Sequence, residues 1–234
     1  PNWVAPPSPE QMQWGDEMQG RYVWLESLKA ARHCDDLFAA FAADAKNQIW
    51  DYLPYGPFST AADLADWKRT TCTKPDPYVV AIIDQATHRA VGVASYLRIN
   101  PDSGSIEVGH INFAPQLQST IGATEAMYLM MRWAFMAGYR RYEWKCNALN
   151  VKSRRAAQRL GLSYEGVFRQ ATISKGRNRD TAWFAAIDAE WPPLQIAFEN
   201  WLHAENFDLS GQQKRSLSEM TGSVLVMHDP MLAP

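Results

Sequence analysis

Val108-Gly109-His110-Ile111-Asn112-Phe113-Ala114-Pro115-Gln116-Leu117-Gln118-Ser119-Thr120-Ile121-Gly122-Ala123-Thr124-Glu125-Ala126 is the stretch that decides the fold. Across it the pattern changes from a strand, Ser105 to Phe113, through a polar turn into a helix, Ala123 to Ala137. Met127, Met130, Met131 and Ala134 fall at helical spacing after the turn and read as core packing rather than methionine chemistry. Gly138 then breaks the helix. On its residues alone the turn is a weak anion signal, because a capped strand-to-helix connection has the same composition. Neither GxxxxGK[S/T] nor GxGxxG is present.

Upstream, Tyr78–Ile83 and Ala90–Ile99 are β-branched and aromatic runs separated by Asp84-Gln85-Ala86-Thr87-His88-Arg89, which predicts an antiparallel pair leading into Ser105–Phe113. Earlier still, Arg21–Leu28 predicts a strand and Cys34–Ala45 a helix with Leu37, Phe38 and Phe41 inward. A further helix, capped by Ser59 or Thr60, carries Leu64 and Trp67. Between these two helices, Trp50-Asp51-Tyr52-Leu53-Pro54-Tyr55-Gly56-Pro57-Phe58 reads either as a loop presenting aromatic groups to a substrate or as a hydrophobic plug.

Downstream, Tyr142–Cys146 predicts a strand and Asn150–Leu160 a helix stopped by Gly161. Val167–Ile173 and Thr181–Ile187 predict a final antiparallel pair turning near Gly176. Trp191-Pro192-Pro193 marks a boundary before an amphipathic helix over Leu194–Glu205, and Asp208–Pro234 is less regular. The reading is one mixed α/β domain over 21–190, an extended arm over 1–20 held by Trp3 and Trp14, and an accessory helix and tail over 191–234.

Composition narrows the function. With 47% hydrophobic and 21% charged residues in 234, the chain can bury one sizeable core. A net charge of -2 supplies no general attraction for nucleic acid or an anionic membrane, so no such partner is expected. Cys34, Cys72 and Cys146 are too widely spaced for a CxxC site, and the five His form no close ligand pair. The expectation is a reducing, cytoplasmic setting with no metal. No apolar run approaches the length of a membrane span.

The opening block, followed by Asn150-Val151-Lys152-Ser153, Arg159-Leu160-Gly161-Leu162 and Tyr164-Glu165-Gly166, resembles RimJ/RimL-like members of the GNAT N-acetyltransferase family over most of residues 20–190. The resemblance implies a mixed, strongly twisted central sheet flanked by helices (α/β, or α+β in some schemes). It also implies acetyl transfer from acetyl-coenzyme A to a primary amine in a ternary complex. Such an acceptor is a protein N-terminus or a small-molecule amine. The alternatives carried with this reading are a noncatalytic acyl-coenzyme A-binding protein and a scaffold or homodimer built on the fold.

The resemblance assigns cofactor contacts to Ile111 and Phe113 on the strand, to Gln118, Ser119, Thr120, Ile121, Gly122, Ala123 and Thr124 in the pyrophosphate loop, and to Asn147, Asn150 and Ser153 downstream. The family loop runs Gln/Arg-x-x-Gly-x-Gly/Ala, so Ile121 stands where the first glycine is expected and is less able to take positive φ. The tyrosine that many members use to protonate the leaving thiolate is matched by Ala157, which has no proton to give. Ser153 is either a helix cap or a contact on the thioester side, and with a nearby tyrosine or ordered water it is a candidate catalytic source of that proton. His110 is the candidate base and Glu107 acts through water or binds the acceptor ammonium, unless it is a surface charge. Strand alternation puts these two on opposite faces, so joint use requires a bulge. Tyr52, Tyr55, His110, Arg169 and Arg177 are the candidate acceptor contacts. The Arg169–Asp180 charge block reads as a site for an acidic acceptor or the 3'-phosphate of coenzyme A, with a solvent-facing hairpin charge cluster as the leading alternative.

Overall fold

The structure, a computed structural model, describes residues 3–11, 18–71 and 74–232. Trp14 and Cys72 lie outside the described residues. The chain divides into two compact units, Pro1–Gly138 and Tyr139–Pro234.

The first unit holds β1 (Val23–Ser27), α1 (Ala30–Phe41), α2 (Ala61–Thr71), β2 (Tyr78–Asp84), β3 (Ala90–Asn100), β4 (Ser105–Phe113) and α3 (Ile121–Met136). β1 to β4 pair in sequence order, each antiparallel to the next. One face of these strands presents Val79, Ala81, Ile83 and Val93 to Cys34, Leu37 and Phe41 of α1 and Leu64 of α2. The opposite face carries Tyr96, whose hydroxyl donates to the Met130 carbonyl of α3 at 2.7 Å. The methionine-bearing face of α3 is buried, as expected of core packing.

Two boundaries differ from the sequence expectation for local reasons. α1 begins at Ala30 rather than Cys34, because the Lys29 N–H donates to His33 Nδ1 at 3.0 Å and caps the extra turn. β1 is shorter than Arg21–Leu28. The N–H groups of Arg21, Tyr22 and Val23 donate instead to the Glu125 carboxylate of α3, at 2.8, 2.7 and 2.9 Å. That carboxylate is buried, and the three charge-assisted bonds offset the cost of desolvating it. In the arm, Trp3 donates its indole N–H to the Pro101 carbonyl at 3.3 Å.

The second unit holds β5 (Arg141–Asn147), α4 (Val151–Arg159), β6 (Ser163–Ser174), β7 (Arg177–Ile187), α5 (Trp191–Leu202) and α6 (Leu217–Thr221). β7 pairs antiparallel with both β5 and β6. The Trp191-Pro192-Pro193 boundary is itself the first turn of α5, where proline loses no helical hydrogen bond. Gly161 has φ +86°, and a Cβ there would stand 2.3 Å from Leu194 Cδ2, so both the backbone and the packing require glycine. The tail expected to be irregular is partly ordered against α4. Asp229 is buried and receives Arg154 Nε at 2.6 Å and Nη2 at 2.5 Å, while Arg154 Nη1 donates to the Ala148 carbonyl at 2.8 Å.

Candidate active site

β4 carries the decisive irregularity. Val93 of β3 pairs with Asn112, yet Ser95 pairs with Gly109, so two residues of β4, His110 and Ile111, oppose the single Ala94. His110 takes φ +49° at this bulge. An extra residue shifts the side-chain alternation by one step. The bulge that joint use of Glu107 and His110 required is therefore present between them.

The face to which each side chain belongs follows from its pairing, since directly opposed residues of an antiparallel pair share a face. Glu107 opposes Leu97, Gly109 opposes Ser95 and Asn112 opposes Val93. A Cβ on Gly109 would lie 2.9 Å from Leu97 Cδ2 and 3.6 Å from Glu107 Oε1, which confirms the shared side. Val93 belongs to the cluster beneath α1 and α2. His110 stacks on Tyr55 with ring centroids 5.5 Å apart and planes at 14°. Tyr55 in turn packs on Trp67 at 4.3 Å and edge-on to Trp50 at 6.2 Å, and both of these tryptophans belong to or pack against the same cluster. The structure thus brings Glu107, His110 and Tyr55 to one face of the first unit.

The aromatic segment serves as a plug and as a support for the histidine at once. Trp50 is buried between Phe41 and Phe58. Gly56, at φ +67°, leaves room for it, because a Cβ there would lie 2.3 Å from Trp50 Cε3. Tyr52 is exposed. Glu107 is not a surface charge. It is 3% exposed, and its Oε1 accepts from Arg98 Nη1 at 2.7 Å. Arg98 itself sits at φ +47° in a second irregularity of β3, where the Asp76 carboxylate accepts the N–H groups of Arg98 and Ile99 at 3.1 and 3.0 Å.

The loop between β4 and α3 solves the missing-glycine problem by moving it. Ile121 is the first residue of α3 and needs no positive φ; the left-handed residue is Ser119, at φ +60°. Thr120 is the N-cap, its Oγ1 accepting from the Ala123 N–H at 3.1 Å and donating to the Leu117 carbonyl at 2.7 Å. Gln118 turns its amide back on the Phe113 carbonyl at 2.9 Å, so it shapes the loop. Gly122 packs on β1, since a Cβ would stand 3.0 Å from Val23 Cγ1. The N–H groups of Ile121 and Gly122 have no backbone acceptor among the described residues. The nearest acid on α3, Glu125, is engaged by residues 21–23. Two open N–H groups at the positive end of a 16-residue helix suit an anionic diphosphate, so the loop fits that part of coenzyme A. A groove of about 790 Å³ in the same unit runs beside this loop, lined by Arg21, Arg89, Gln116, Leu117, Thr120 and Ile121 among others; His110 and Glu107 are not part of its wall.

In the second unit Asn150 is the N-cap of α4, its Oδ1 accepting from the Ser153 N–H at 3.1 Å. The Ser153 hydroxyl accepts the Trp144 indole N–H at 3.0 Å and lies against the Cys146 thiol, whose acidity burial suppresses. Asn147 forms a local turn with the Leu149 N–H at 2.9 Å. Ala157 is fully buried. Arg169 and Arg177 are exposed on the β6–β7 hairpin. Asp180 there is held below the usual carboxylate range by the Gln170 N–H first and the Asn178 amide second. Among the described residues no group of three or more His, Cys, Asp or Glu is arranged to hold a metal, and no helix is long and apolar enough to cross a membrane.

Sequence reasoning missed Asn112. It is 2% exposed, and neither its amide nitrogen nor its oxygen has a hydrogen-bond partner among the described residues. A lone carboxamide within the apolar run Ile111–Phe113 was the available signal.

The comparisons bear on the family and the fold. A family model for an acetyltransferase (GNAT) domain matches residues 23–163. A GCN5-related N-acetyltransferase from Brucella melitensis is 44% identical, with 94% of this chain and 99% of that one covered and a TM-score of 0.89. A GNAT-family protein from Chromobacterium violaceum is 37% identical, over 81% of this chain and 93% of that one, with a TM-score of 0.74. At 18% identity, a RimL ribosomal L7/L12 α-N-protein acetyltransferase in complex with coenzyme A shares the fold, with a TM-score of 0.59 over 72% of this chain and 95% of that one. No curated protein matches. The mixed α/β fold implied by the resemblance is the fold of these structures, and the chain belongs to the GNAT family of acetyltransferases.

Proposed function

We propose that the protein transfers the acetyl group of acetyl-coenzyme A to a primary amine, with His110 as the base that frees the amine for attack. The observation that carries this reading is the β4 bulge, which sets the His110 imidazole against Tyr55 on the face that also holds Glu107. An acceptor amine is an ammonium at neutral pH and has no lone pair to attack with until it loses a proton. Imidazole is suited to take that proton because its ordinary pKa lies near 6.5. The Tyr55 ring restricts the imidazole to one plane, which favours a single line of approach. Glu107 holds a negative charge on the same face and draws the ammonium there, while Arg98 orients the carboxylate.

Acetyl-coenzyme A supplies an activated acyl thioester. The N–H groups of Ile121 and Gly122 would hold its diphosphate, with Thr120 fixing the helix end. Asn150 and Ser153 support α4, the helix that the resemblance assigns to the pantetheine side. Ala157 cannot give the departing thiolate the proton that many family members take from a tyrosine at the matching position. A thiolate is a good leaving group near neutral pH, which makes such an acid dispensable.

The acceptor class we favour is a peptide N-terminus or a compact amine entering across the aromatic segment, with Tyr55 in contact and Tyr52 as an outer contact; Arg169 and Arg177 are candidate acceptor contacts of the second unit, taken by itself. The RimL relative named for a ribosomal protein supports the peptide option by fold alone. Buried, free Cys34 and Cys146 support a reducing, cytoplasmic setting. The test is incubation of the protein with acetyl-coenzyme A and a panel of peptides and small amines, reading free thiol and N-acetyl product together. Equimolar formation of both supports the reading; thiol release without N-acetyl product on every amine would reject it.

A further inference from the structure

Asn112 is a buried polar group that the reaction outlined above does not use. Removing an amide from water without a partner is costly, so a native chain keeps one only where something returns that cost. Its neighbourhood indicates what that is. Asn112 opposes Val93 and so shares the face beneath α1 and α2. His110, two residues back on the same strand, presents its ring to Tyr55 on that face. Residues at this spacing on one strand face are roughly 7 Å apart along the chain. A single water spans about 5.5 Å between two polar atoms, and the side chains cover the remainder.

We propose that Asn112 is a positioning residue for His110, its carboxamide holding the imidazole in its proton-accepting orientation through one bound water. The inference rests on the reading of His110 as the base. The ionisable groups on this face among the described residues include Tyr55, which stacks on the ring, Glu107, which is ion-paired with Arg98, and Cys34 of α1, whose thiol is made less acidic by burial. A neutral carboxamide can both donate to and accept from the water.

Asn112→Leu is close in volume and removes the orphaned amide, so it discriminates between roles. If Asn112 served only the fold, the substitution would act on stability alone. The proposal expects a thermal midpoint equal to or above that of the native chain, kcat lowered about tenfold, and an unchanged KM for acetyl-coenzyme A. It also expects the His110 titration midpoint, followed by NMR of the imidazole, to fall by about half a pH unit or more, since loss of polar contacts disfavours the charged ring. Asn112→Ser, which leaves a hydroxyl and room for water, should recover part of kcat. An Asn112→Leu protein with native kcat and an unmoved His110 titration would overturn the proposal, as would a loss of kcat that follows a loss of stability with the titration unmoved. Failure of the base assignment itself is read separately, from His110→Gln. If that variant keeps native kcat while Asn112→Leu still moves the imidazole titration, the positioning stands and the base reading falls.

Discussion

His33 shows how one side chain makes this fold sensitive to pH. Its Nδ1 accepts from the Lys29 N–H, so Nε2 carries the proton and donates to Glu26 Oε1 at 2.7 Å. Burial lowers its pKa below 6.5, against the opposing pull of the Glu26 hydrogen bond. A histidine with a depressed folded pKa binds fewer protons when folded than when unfolded. Its contribution is therefore fully present above about pH 6.5 and declines as pH falls toward the folded value. Thermal midpoints measured from pH 7.5 to 5 should fall on acidification, and His33→Gln should flatten that slope while lowering stability at pH 7.5. An unaltered slope would remove His33 from the account. His110 carries the corresponding functional prediction: His110→Gln should lower kcat by about 10²–10⁴ while leaving acetyl-coenzyme A binding intact, as checked by calorimetry. Both histidines were visible in the chain, but only His110 drew attention, because its neighbours match the family block. The meaning of His33 depends on Glu26 and Lys29 meeting it at the start of α1, a geometry that spacing alone does not settle.

Among the elements, β4 and α3 show where sequence reading succeeds and where it stops. Both were predicted with nearly their observed limits, because period-2 and period-3.6 patterns survive in the composition of strands and helices. The bulge was legible only as a conflict of parity between Glu107 and His110, since a bulge is a property of two paired strands and the register of β3 is not written within β4. The apparent defect at Ile121 had the opposite fate. It matters to a motif comparison and not to the backbone, because the left-handed position falls at Ser119 and Thr120 supplies the cap. Thr120→Ala should cost about 1 kcal/mol of stability and raise the KM for acetyl-coenzyme A, measured by denaturation and initial rates. Glu125→Gln should cost about 3 kcal/mol, because it removes the charge from three hydrogen bonds and turns an amide toward N–H donors at the start of β1. A loss under 1 kcal/mol in urea unfolding would show that the clamp at residues 21–23 is held by something else.

Across the whole molecule, a net charge of -2 gives no broad field for steering, so selectivity has to come from local groups, a role we propose for Glu107. The second unit depends on a contact that no pattern in the chain announces, the Arg154–Asp229 pair 75 residues apart. The guanidinium is held above its ordinary pKa, first by the hydrogen bonds to Asp229. Removing one partner of such a buried pair leaves a charge without compensation, so Asp229→Asn should destabilise by about 3–5 kcal/mol in chemical denaturation. The central claim remains the one built on β4: an amine is acetylated and His110 takes its proton. The most direct measurement is the pH dependence of N-acetyl product formation, in parallel with free thiol, for the native protein and His110→Gln at saturating acetyl-coenzyme A. The account predicts equimolar products from the native protein, a rate rising through one ionisation near neutrality, and loss of both rate and that ionisation in the variant. A variant that retains the native rate and the same pH limb would contradict it.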